Sequence, residues 1–109
     1  MLEGIFGNRT AEKALLHLFH YGEIHPSAVA RDHRVAVDPI RRQLERFERS
    51  GVLVARSVGR ARVYAFNPKS PYVRPLREIL RIAYESIPLA DRERIFPRRR
   101  PRAKGKPVL

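Results

Sequence analysis

At Gly51 the hydrophobic period of this chain changes, and that switch limits what it can fold into more than any other feature. Up to Ser50 the apolar residues recur at helical spacing; from Val52 they fall in two short strand-like runs separated by a glycine turn. A chain built this way predicts a mainly α-helical domain with a single two-stranded β-hairpin near its middle.

The helical part divides into three. Asn8 and Thr10 both suit the N-cap of a first helix that runs to about Tyr21, where Gly22 stops it. Ala11, Leu15, Leu18 and Phe19 make its apolar face, widened by Ala14 and Leu16. Glu23 to His25 form a short extended connector, and Pro26 then opens a second, very short helix over about 26–32. After the tight link from His33 to Ala36, Asp38 is the candidate N-cap of a third helix, with Pro39 in its first position. Ile40, Leu44 and Phe47 repeat at i, i+4 and i+7, leaving Arg42 and Arg49 on the opposite side with Glu45 and Arg46 flanking them. Gly51 supplies a left-handed stop.

Val52 to Arg56 reads as a strand, Val58-Gly59-Arg60 as a turn and Ala61 to Phe66 as the returning strand. A last helix, from Val73 or Pro75 to Ser86, carries Leu76, Ile79, Leu80 and Ala83, and Ala90 to Phe96 add one or two turns. The expected organisation is a helix-and-hairpin domain at 1–68, a C-terminal helical segment at 69–96 and a disordered basic tail at 97–109.

Charge indicates the class of partner. The chain holds 23 Lys and Arg against 11 Asp and Glu, a net +12, and six of the cations lie in the tail at 97–109. A domain this basic attracts polyanions, nucleic acid before anionic membrane. With 109 residues, 43% of them hydrophobic, it can form one small core. The absence of cysteine excludes disulfides, thiolate metal sites and a cysteine nucleophile. No apolar run approaches the length of about 18 residues needed to span a bilayer, and the N-terminus lacks a secretory pattern, so a cytoplasmic location is expected. No phosphate loop, dinucleotide motif or metalloprotease motif is present, so neither enzyme activity nor a cofactor is expected. His17 and His20, at i,i+3, read as packed or exposed imidazoles and not as metal ligands.

Helix, short helix, turn, helix and hairpin is the order of a winged helix-turn-helix, and Arg56, Arg60 and Arg62 around Gly59 give the hairpin a basic tip. The run VAVDPIRRQLERFERSGVL, from Val35 to Leu53, resembles the recognition segment of ArsR-like bacterial regulators. Ile40, Leu44 and Gly51-Val52-Leu53 match its apolar positions and its entry into the wing, and the likeness covers about Asn8 to Asn67. It implies a recognition helix at about 37–50 in the major groove, with Val37, Asp38, Pro39, Arg41 and Arg42 facing bases. It also implies that the helix from Val73 serves dimerisation, through Leu76, Ile79, Leu80 and Ala83. Such helices usually start with Ser or Thr near the place of Ala36, and the cysteine pair of metal-sensing members is missing here.

The expectation is therefore a sequence-specific regulator of double-stranded DNA, acting as a repressor by covering a promoter in the bacterial nucleoid. Phosphate contacts are expected from Ser27 and its neighbouring amides, from Arg46 and Arg49, from Arg56, Arg60 and Arg62, and from Arg98, Arg99 and Arg100 in the tail. Two alternatives use the same residues: an antitoxin or accessory protein whose last helix binds a different protein, and an RNA-binding basic protein. A plainer reading leaves the arginine face of the third helix merely solvated and lets the last helix cover its own core.

Overall fold

Asn8 starts the first long helix with its side chain, whose oxygen accepts the Ala11 N–H at 2.7 Å. In the computed structural model, which describes residues 2–98, this helix is α2 (Arg9–Tyr21), preceded by a single-turn helix, α1 (Glu3–Phe6). Gly22, at φ +86°, ends α2 as expected. Strand β1 (Glu23–Ile24) and α3 (Pro26–His33) follow, then α4 (Val37–Arg49), β2 (Leu53–Val58), β3 (Ala61–Phe66), α5 (Val73–Glu85) and α6 (Leu89–Ile95). The result is a mainly helical body with a small open sheet.

Three details depart from expectation. First, α4 begins two residues earlier than the Asp38 cap predicts: Ala36 is the N-cap, without a side-chain bond. Val37 packs against the core, which favours adding those two residues, and Pro39 still lies among the first residues, whose N–H groups have no helical partner. Asp38 instead pairs with Arg41 one turn on and faces the positive end of the helix. Second, the sheet has three strands in the order β1-β3-β2, because Glu23 and Ile24 pair antiparallel with Ala65 and Tyr64. That pairing satisfies β3 backbone groups that a lone hairpin would leave open. Third, α1 was not foreseen.

The hairpin itself is tight. Val58 faces Ala61 across a two-residue turn, and Gly59, at φ +61°, takes the first turn position, where a side chain would strain the backbone. The α3–α4 link turns through Arg34 at φ +58°, the one non-glycine residue with positive φ among those described. Its N–H donates to the Arg31 carbonyl at 3.2 Å.

Helix α2 is buried through five consecutive residues, Ala14 to Leu18, because it separates two apolar clusters. On one side Ala14 and Leu18 meet Val29 of α3, Ile40 and Leu44 of α4, and Leu53 and Tyr64 of the sheet. On the other, Leu15 and Leu16 meet Leu2, Leu80, Ala83 and Phe96. Tyr21, Phe47 and Phe66 pack against both clusters. Leu80 and Ala83, expected on a two-fold contact, are therefore used up in the chain's own core. The apolar residues left exposed at this end are Ile79, Ile82 and Leu89, with Tyr72 just before α5, and Ile82 and Leu89 are 60% and 63% exposed.

The one fully buried polar side chain among those described is His17. Its Nε2 lies 3.1 Å from the Asp32 carboxylate and its Nδ1 lies 3.2 Å from His33 Nε2. With Asp32 ionised and His17 neutral, His33 donates to His17 and His17 donates to Asp32, so a directed chain ties α2 to the end of α3. The two contacts use opposite ring nitrogens, so the three side chains do not converge on one point as metal ligands would, and no metal-holding cluster exists among the described residues.

Candidate nucleic-acid interface

The N-terminus of α3, the outer side of α4 and the β2–β3 hairpin enclose a cleft of about 390 Å³. Its lining includes Ser27 from α3, Val37, Arg41 and Glu45 from α4, and Arg60 and Arg62 from the hairpin. The local causes are clear. Val37, Arg41 and Glu45 follow one another at i,i+4, so once Ile40 and Leu44 are buried they form a row beside the core stripe. The two-residue turn places Arg60 at its tip, and Arg62 lies two residues on, on the same face of β3 as Tyr64.

The cations fall into two groups. Arg41 is paired with Asp38, Arg56 with Glu23 at 2.8 Å, and Arg62 with Glu48 at 2.6 Å. The Arg62 guanidinium also stands 5.8 Å from the centre of the Tyr64 ring. The Tyr64 hydroxyl first, and then the Glu48 carboxylate, hold it above the ordinary arginine range, so it stays charged at any accessible pH. Arg42, Arg49 and Arg60 are exposed and form no ion pair with any described residue. The i,i+4 pairs of Glu45 with Arg41 and Arg49 do not form; Arg41 turns back to Asp38 instead. Paired guanidiniums are held in direction, whereas unpaired ones are free to follow phosphates.

Not every residue expected at this surface lies in the cleft. Arg42 and Arg49 occupy the side of α4 opposite Ile40, as the periodicity predicts, but outside the cleft lining. Arg46 is drawn elsewhere: it donates to the Phe6 carbonyl at 3.0 Å and lies over the Phe47 ring at 4.7 Å, tying α4 to the end of α1. Arg98 lines a separate cavity with His20, Tyr21, Glu93 and Phe96. The remaining tail residues, Arg99 and Arg100 among them, lie outside the described residues. Sequence reasoning left out Glu45 and Tyr64 as cleft residues. For Glu45 the i,i+4 step from Arg41 carried the signal; for Tyr64 it was the alternation with Arg62.

No helix among the described residues is long and apolar enough to cross a membrane. Comparison with protein-family models and with curated proteins finds no match. The likeness to ArsR-like regulators thus stands on its own residues alone.

Proposed function

We propose that this chain is a winged helix-turn-helix protein that binds double-stranded DNA and regulates transcription. On this reading α3 and α4 form the helix-turn-helix, α4 enters the major groove, and the hairpin is the wing. The observation that carries it is the cleft where Ser27, Arg41, Glu45, Arg60 and Arg62 meet, drawn from three elements and holding three arginines against one carboxylate. The net charge of +12 supports the same partner. Arg41, steadied by Asp38, suits bidentate contact with guanine, and Glu45 beside it suits acceptance from a cytosine amino group. Arg42, Arg49 and Arg60 supply phosphate contacts, with the Ser27 end of α3 offering backbone N–H groups. Catalysis forms no part of this proposal.

A second copy of the chain covers Ile79, Ile82 and Leu89 in this proposal, in place of the Leu80 and Ala83 contact inferred from sequence. The same exposed residues support the alternative of a different protein partner, as in an antitoxin or accessory protein.

Selection of bound sites from random duplex DNA, with protein mass measured in the same buffer, tests all of this. The expected result is an enriched site made of two half-sites about 34 Å apart, bound by a dimer. A flat selection would remove sequence-specific reading. Equal competition by an A-form RNA duplex would replace DNA with RNA as the ligand.

A further inference from the structure

At the far end of α3 from Ser27, two cavities meet at His33. One, of about 400 Å³, has apolar walls from Leu16 of α2, Ile87 between α5 and α6, and Ile95 and Phe96 at the end of α6. Glu12, Lys13 and His33 complete it. The other, of about 390 Å³, shares His33 and Ile95 and adds Asp32, Arg34 and Arg94. An apolar chamber thus adjoins a cationic one, each within the size range of small-molecule sites.

We propose that this double cavity binds a small organic carboxylate with an apolar body, its carboxylate on Arg34, Arg94 and His33 and its body against Leu16, Ile87, Ile95 and Phe96. The two acidic side chains in the lining are already engaged: Glu12 accepts the Leu2 N–H at 3.0 Å, and Asp32 lies 3.1 Å from His17 Nε2. Arg94 pairs with Asp91 at 3.1 Å, but both side chains are solvated, and a pair of that kind exchanges partners at little cost. Arg34 is the more telling residue. It holds a left-handed backbone at φ +58°, where glycine would sit with less strain, so what this position gains from arginine is the guanidinium and not the turn.

His33 adds directionality. Its Nε2 donates to His17, so Nδ1 can donate to a bound carboxylate once the ring takes up a proton there. Burial, and then the nearby Lys13 charge, hold its pKa below the ordinary value, and the negative charge of an arriving carboxylate favours the protonated ring. A ligand here would touch the α3–α4 turn, so control of DNA binding by it rests on the function proposed above. The binding itself does not, and it is measured without DNA.

Calorimetric titration of the full chain with phenylacetate and hexanoate should show saturable one-site binding. Phenylacetamide, which lacks the charge, and acetate and inorganic phosphate, which lack the body, should bind at least about tenfold more weakly. Arg34→Gly keeps the turn and Arg94→Ala alters an exposed side chain, so both should fold; each should weaken phenylacetate at least about tenfold. The His33 ring signals should shift on titration by proton NMR. Binding of acetate or phosphate as strong as that of phenylacetate would overturn the proposal. So would unchanged affinity in both variants, or an equal loss in Arg42→Ala, which would reduce the effect to general charge.

Discussion

The two sides of α2 differ in how completely they are filled. Under the α3–α4 side, Leu18, Val29, Ile40, Leu44, Leu53 and Tyr64 are all within a few per cent of complete burial, and three strands close the cluster. The α5–α6 side closes around Leu15, Leu80 and Phe96, yet it leaves Ile79, Ile82 and Leu89 in water and borders the paired cavities at His33. The first side carries both paired and unpaired arginines above a dense core. The second has apolar surface and open space to offer. A densely packed side and a looser one thus share one helix, and each should respond differently to substitution.

The largest expected effect belongs to the dense side. Leu44→Ala opens a cavity where the side chain is fully buried, and should cost about 2–5 kcal/mol of stability. Chemical denaturation measures it, and a loss well under that range would mean the two sides are equally loose. Next comes Arg41→Ala, which should cost about 1–3 kcal/mol on a preferred DNA site and relax selection at one base pair while leaving the unfolding midpoint nearly unchanged. Uniform weakening across all sequences would make Arg41 a phosphate contact. Glu48→Gln releases Arg62 from a solvated pair and should leave the unfolding midpoint almost unchanged. Ile82→Ser, on the open side, should leave monomer stability within about 0.5 kcal/mol while reducing self-association in sedimentation.

A pH comparison separates the sides in another way. His33, with Lys13, Asp32 and His17 as its charged and titratable neighbours, has a folded pKa below its ordinary 6.5. The unfolded chain then binds the proton more readily, so stability falls as pH drops below about 6.5 and is regained as pH rises. His33→Gln should flatten that dependence. Thermal midpoints between pH 5 and 8 check it, and an identical slope in the variant would locate the titration elsewhere.

Where local chemistry settled an element, the sequence was readable. Asn8 and Gly22 bounded α2, Gly51 ended α4, and Gly59 fixed the hairpin turn, because caps and turns act over a few residues. Misses came where distant partners decide. Two residues at Glu23–Ile24 carry no strand period of their own; their pairing with Ala65 and Tyr64 makes them one. Leu76, Ile79, Leu80, Ile82 and Ala83 give α5 an apolar face wider than its contact with the core, so spacing does not say which of them meet Leu15 and Leu16. Arg42 was separated correctly from the stripe, but the cleft that gathers Arg41 with Arg60 and Arg62 depends on how the hairpin packs. The chain from Asp32 through His17 to His33 likewise links residues whose spacing bears no pattern.

Five consecutive buried residues in α2 have a consequence for cooperativity. A helix usually keeps one flank in water, so it can outlive the loss of whatever covers its other flank. Here, melting α5 and α6 would leave Leu15 and Leu16 uncovered, while melting α3, α4 and the sheet would strip Ala14 and Leu18. Neither half has a stable partly unfolded state to retreat to, because each keeps the same helix dry for the other. Residues 2–98 should therefore unfold in a single transition, with circular dichroism and tyrosine fluorescence tracing one curve.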